Sequence, residues 1–216
     1  MLHTEREREV WFTPHSHLGD IWAFTSYILK QSEIENKTIY FDRGSLNSQI
    51  SSFKNFFDTN GKIELNKQKN KIKKVKANYM FFREFLKTKI QWKENNNKII
   101  AYQFDGRHLN YNKNPNKNEI IYFLNFFEKL GYNLINVGNF KPLSFIIKTL
   151  SECEFFIGVI SGISIVANSV GCPINLLENN LPKWKVNKLK FTHLSKIKNI
   201  NYYKRINNFT NKFILI

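Results

Sequence analysis

Phe155-Phe156-Ile157-Gly158-Val159-Ile160-Ser161-Gly162-Ile163-Ser164-Ile165-Val166-Ala167-Asn168-Ser169-Val170-Gly171-Cys172-Pro173 is the stretch on which the fold turns. Phe155 to Ile160 reads as a buried strand. Ser161-Gly162 turns it directly into a short helix, which Gly171 stops and Pro173 separates from the next apolar run. A strand entering a helix through such a turn aims free backbone N–H groups, and the positive end of the helix dipole, at one point above the sheet. That point suits a phosphate. An ordinary N-cap serine and a tight-turn glycine leave the same pattern, so the rest of the chain must decide its meaning.

Working outward, the alternation of strand and helix continues on both sides. Upstream lie a helix Pro142 to Cys153, a strand Asn133 to Val137 that exits through Gly138-Asn139, and a helix Glu119 to Leu130 stopped by Gly131. That helix carries Ile120, Phe123, Leu124 and Phe127 on one face, and a strand Ile99 to Phe104 precedes it. Pro173 to Leu177 is the strand on the other side. Nearer the N-terminus the same plan recurs: strand Val10 to Thr13, loop Pro14 to Asp20, and a helix from Ile21 to about Lys30. A strand Thr38 to Asp42, a helix Ser45 to Phe57 and a weaker strand Lys62 to Leu65 follow. Asn66 to Lys76 reads as a basic linker and Tyr79 to Ile90 as a helix. The polar run Lys93 to Lys98 divides the chain into halves, 1–92 and 98–216. The expected class is α/β, with two Rossmann-like halves built on parallel sheets. Lys183 to Tyr203 is basic with scattered aromatics, and Phe213 to Ile216 is a strand or a packed tail.

Hydrophobic residues at 42%, with 20 Phe among them, exclude a disordered chain of this length. The net charge of +16 points toward a polyanion. Much of it lies in Lys- and Asn-rich segments such as Asn66 to Lys74, a bias that an AT-rich coding sequence produces unaided. Cys153 and Cys172 have no metal-ligand spacing and read as small buried side chains in a reducing compartment. The N-terminus has no apolar run of a secretory signal, and no segment is apolar for the length of a membrane span. The expected location is cytoplasmic, with docking at the inner face of an anionic membrane compatible with the charge.

Three loops at carboxyl ends of strands could carry chemistry, since ligands of open parallel sheets bind there. In His15-Ser16-His17-Leu18-Gly19-Asp20, Gly19 admits a ligand to the backbone and Asp20 can act as general base, or simply complement the helix that follows. In Gln103-Phe104-Asp105-Gly106-Arg107-His108, Arg107, with Lys113 farther on, can hold a diphosphate. Gly138-Asn139 and Ser161-Gly162-Ile163-Ser164 share a crevice suited to a nucleoside diphosphate. Neither a Gly-x-Gly-x-x-Gly nor a Walker lysine motif occurs.

Ser16-His17-Leu18-Gly19-Asp20 after a first strand resembles the Ser-x-Leu-Gly-Asp motif of the heptosyltransferases, a GT-B-type family using ADP-heptose. Leu150 to Gly162, continuing through Ala167 and Gly171-Cys172-Pro173, is similar to that family's donor segment. The resemblance spans most of residues 10 to 178. It implies a compact GT-B-like fold whose halves face a cleft, with the acceptor on the first half and a nucleotide sugar on the second. By motif match Asp20 becomes the catalytic base, and Ser161 and Gly162 contact the donor diphosphate. His17, Gly19, Arg107, Lys113, Gly138 and Ser164 complete the expected binding residues. Two positions depart from the family: Ile160 replaces an acidic residue and Ile165 a histidine. The expected activity is metal-independent, cofactor-free transfer of a sugar from a nucleotide-diphosphate donor to a glycan or lipid-linked acceptor. The alternatives are a non-catalytic nucleotide-sugar-binding protein of the same fold, or a polyanion-binding protein; no nucleic-acid module supports the last.

Overall fold

The computed structural model describes residues 8–13, 17–68, 72–77, 85–106, 114–115, 117–138, 141–159, 161–178, 200–205 and 213–215. The chain divides into two compact units, residues 1–89 and 90–216.

In the first unit, β1 (Arg8–Phe12), β2 (Ile39–Phe41), β3 (Ile63–Leu65) and β4 (Ile72–Lys76) form one parallel sheet in the order β3-β2-β1-β4. Helix α1 (Leu18–Glu35) is buried along much of its length, with Ile21, Trp22, Phe24, Ile28 and Leu29 enclosed. Trp22 stacks at a tilt on Phe57 and Phe53, with centroids 4.4 and 5.6 Å away. Buried Ser32 ties the end of α1 to the strands: its Oγ donates to the Lys37 carbonyl and accepts the Lys62 N–H. The expected helix Ser45 to Phe57 is a 3-10 turn (Gly44–Leu46), a short α2 (Asn47–Phe53) and a second 3-10 turn (Lys54–Phe56).

Two expectations are corrected here. The basic linker contains β4, which pairs with β1 from Arg8↔Ile72 to Phe12↔Lys76. It is an edge strand, where Lys73, Lys74 and Lys76 meet water and discourage further pairing. The helix expected over Tyr79 to Ile90 falls partly outside the described residues, and Phe85 to Ile90 is not helical. Instead the Leu86 N–H donates to buried Ser26 Oγ, and Thr88 bridges Phe57 in antiparallel fashion.

In the second unit, β5 (Ile99–Gln103), β6 (Asn133–Asn136), β7 (Phe155–Gly158), β8 (Ile174–Glu178), β9 (Ile200–Arg205) and β10 (Phe213–Leu215) run in the order β10-β9-β8-β7-β5-β6. All pairs are parallel except β9 with β10. Helix α3 (Lys117–Lys129) buries Phe123 against Ile100, Phe104 and Ile157. Helices α4 (Leu143–Glu152) and α5 (Gly162–Val170) follow β6 and β7. The segment after Lys89 joins this unit: the Trp92 N–H donates to the Val170 carbonyl and its indole N–H to that of Cys153. The buried thiols of Cys153 and Cys172 touch at 3.4 Å, and burial pushes Cys172 up from the ordinary thiol range. No described helix is long and apolar enough to cross a membrane.

Candidate functional site

Strand order fixes where each unit can bind a ligand. In the first, β3-β2-β1-β4 is the opening of the doubly wound order, and the strand order reverses between β1 and β4. At the carboxyl end of β1 lies α1, with His17 as its extended N-cap and Leu18, Gly19 and Asp20 forming its first turn. The sequence placed Gly19 and Asp20 on the preceding loop and began the helix at Ile21; the helix begins three residues earlier. Gly19 is buried, and Asp20 occupies the third helical position, where a carboxylate complements the dipole. Pro14, His15 and Ser16 lie outside the described residues.

In the second unit the order β6-β5-β7-β8-β9 is the flavodoxin-like arrangement, whose switch point lies between β5 and β7. Ser161 caps α5 there, following β7 by a few residues. Ser164 Oγ accepts the Ser161 N–H at 3.2 Å and donates to the Ser161 carbonyl at 2.6 Å, the serine version of a capping box. Among the described residues the N–H groups of Gly162 and Ile163 are the first-turn donors left open.

Gln103, at the end of β5 and 8% exposed, organises the surroundings. Its Nε2 donates to the Asp105 carbonyl at 3.1 Å, which turns its Oε1 toward Ser161, whose hydroxyl donates to it. Its own carbonyl accepts the Val159 N–H at 3.1 Å. The two glycines beside it are crowded, Gly158 by main chain and Gly138 by side chains. A Cβ on Gly158 would lie 2.5 Å from the Gln103 carbonyl oxygen, and one on Gly138 2.5 Å from Asp105 Oδ1 and 3.1 Å from Gln103 Cγ. The Gly138 N–H donates to Asn136 Oδ1. Gly106 and Asn114 exchange two hydrogen bonds, Gly106 N–H to Oδ1 at 2.8 Å and Nδ2 to the Gly106 carbonyl at 3.1 Å.

Gly138, Ser161, Gly162 and Ser164 therefore belong to one unit, at the exits of β6 and β7, the two strands that flank β5. His17, Gly19 and Asp20 gather at the corresponding exit of the other unit. Arg107, Lys113 and Ile160 lie outside the described residues. Gln103 and Asn136 carried no role in the sequence reading. A polar residue closing an apolar strand was the available signal for Gln103.

With this geometry in place, the chain can be set beside known proteins. It is similar to the bacterial iron-containing dodecameric glycosyltransferase TibC from enterotoxigenic E. coli H10407, with a TM-score of 0.50 and 12% identity over 80% of this chain and 58% of TibC. The fold is glycosyltransferase-like. A second TibC structure, of the dodecameric iron-containing heptosyltransferase in complex with ADP-D-beta-D-heptose, aligns over the same shares with 13% identity and a TM-score of 0.49. The chain spans a little more than half the length of TibC. No protein-family model and no curated protein matches it in sequence. TibC is named as iron-containing; among the described residues of this chain no group of three or more His, Cys, Asp or Glu could hold a metal ion.

Proposed function

We propose that the protein is a glycosyltransferase that moves a sugar from a nucleoside-diphosphate donor to a hydroxyl of a glycan or lipid-linked acceptor. The observation that carries this reading is the coincidence, in the second unit, of the topological switch point with the N-terminus of α5. Two open N–H donors lie there between glycine-lined strand exits. The donor diphosphate sits at this turn, with Gly138, Ser161, Gly162 and Ser164 around it and Arg107 and Lys113 supplying positive charge. The acceptor hydroxyl is served by Asp20, with His17 and Gly19 beside it. In the reaction the acceptor oxygen forms a bond to the anomeric carbon while the bond from that carbon to the diphosphate breaks. The acceptor proton passes to Asp20, and the electron pair leaves on a phosphate oxygen whose charge the α5 turn and the basic side chains stabilise. No metal and no cofactor takes part. The enzyme works in the cytoplasm, against the inner face of a membrane when the acceptor is lipid-linked.

A thermal-shift series across nucleotide sugars, followed by transfer or hydrolysis of the one that binds, tests this reading. The expected result is a rise in melting temperature with one nucleotide class and release of its nucleoside diphosphate. Absence of any shift across the series overturns it. A second reading, binding without transfer, is supported by Ile165: it is 4% exposed in the core, where the resembled family has a polar side chain. Tight donor binding with no turnover, whatever the acceptor, separates the two.

A further inference from the structure

We infer, on the basis of the donor-site reading, that Gln103 is the positioning residue of the diphosphate site and that Ser161 acts through it, not as a phosphate ligand. Ser161 has two donors, and both are committed inside the protein. Its N–H goes to Ser164 Oγ and its hydroxyl proton to Gln103 Oε1. With its proton spent, the Ser161 hydroxyl oxygen can only accept; it already accepts the Ser164 N–H, and its lone pairs repel a phosphate oxygen. The groups that can receive the anion are the N–H donors of Gly162 and Ile163. Their aim depends on where α5 starts, and α5 starts where Ser161 is held. Gln103 holds it from a strand next to β7: its backbone carbonyl fixes Val159, its Oε1 fixes Ser161, and its Nε2 fixes the Asp105 carbonyl. One buried side chain thereby sets the separation of two strand exits at the switch point.

The orientation of the amide is chemically determined. Only Nε2 can face the Asp105 carbonyl, so an acceptor must face Ser161. A glutamate in its place keeps the acceptor toward Ser161 but needs a proton to satisfy Asp105. Gln103→Glu is therefore expected to bind nucleoside diphosphate weakly at pH 8 and to recover as the pH is lowered toward 5.

The experiment is titration of ADP, GDP and UDP into the full chain and into Gln103→Met, Gln103→Glu, Ser161→Ala and the double variant Gln103→Met/Ser161→Ala, with melting temperatures in parallel. For the nucleotide that binds the wild type, each single variant is expected to weaken affinity about tenfold, the equivalent of one lost hydrogen bond to a positioned group. The double variant is expected to be no weaker than either single one, since both cut the same link. Additive losses, full affinity in Gln103→Met, or a pH-independent Gln103→Glu each overturn the positioning role. If Gln103→Met does not fold, Ser161→Ala and the pH response of Gln103→Glu decide the matter. A wild type that binds none of the three nucleotides overturns the donor-site reading itself, and the inference falls with it.

Discussion

Single residues separate the parts of this molecule that hold it together from those proposed to act. Replacing Asp20 by Asn removes the proposed proton acceptor but keeps the size and the helix start. Sugar transfer is expected to fall at least about a hundredfold while donor affinity is retained, and unchanged turnover would remove Asp20 from the chemistry. The two crowded glycines make a sharper contrast. At Gly158 the obstacle is the main chain of Gln103, which cannot retreat without parting β5 from β7. Gly158→Ala is expected to destabilise the second unit by about 1–3 kcal/mol, read as a lower urea midpoint. At Gly138 the nearest atom is the end of the Asp105 side chain, which is exposed and can swing away. Gly138→Ala is expected to leave the midpoint nearly unchanged and to show its effect in nucleoside-diphosphate affinity. None of this crowding is visible in sequence, where Gly138 reads as a turn and candidate binding residue and Gly158 as a strand residue. The Ser161-Gly162 turn, by contrast, announces itself, because a capping serine and a glycine between two apolar runs are a local signal.

At the level of elements, the joints are made by polar side chains reaching across chain distance. Ser32 links the end of α1 to the entrances of β2 and β3, and Ser32→Ala is expected to cost about 1–3 kcal/mol by leaving the Lys62 N–H unpaired. Glu33 stitches α1 to the turn before β3 by accepting the Thr59 hydroxyl and the Asn60 N–H. Asp42, after β2, accepts the Gly44 N–H and the Asn47 amide. The bond from Thr59 chiefly holds the Glu33 carboxyl below its ordinary 4.5, and the bond from Gly44 does the same for Asp42 below 3.8. A carboxyl lowered on folding contributes stability that is complete above its ordinary value and is lost as pH falls through the folded one. The melting temperature is therefore expected to decline in acid below about pH 4.5, and more gently in Glu33→Gln and Asp42→Asn; parallel curves would discount both groups. Such joints explain what the sequence could not disclose. Strands with apolar runs, such as β5 and β7, were legible, whereas β4 reads as a lysine-rich linker because only its pairing with β1 makes it a strand. Phe85 to Ile90 has helical spacing, yet its N–H groups find Ser26 and the chain near Phe57 instead, a tertiary choice that overrides the local pattern.

Across the whole molecule, two units with different strand orders each carry a mostly parallel sheet, and the fold is glycosyltransferase-like. On the proposed metal-independent mechanism, exhaustive chelation is expected to leave nucleoside-diphosphate binding unchanged; loss of binding restored by iron would assign a metal. The paired thiols have a practical consequence. Cys153 and Cys172 are the only cysteines in the chain and are enclosed at 0% and 4% exposure, so the native protein is expected to be nearly silent to maleimides. A cysteine introduced at exposed Ile34 on α1 and another at exposed Phe126 on α3 would then be the sites that accept a spin or fluorescent label. The wild-type chain is in effect a ready-made background for ruler measurements, in which one probe per unit reports how their separation responds when a nucleotide sugar is added.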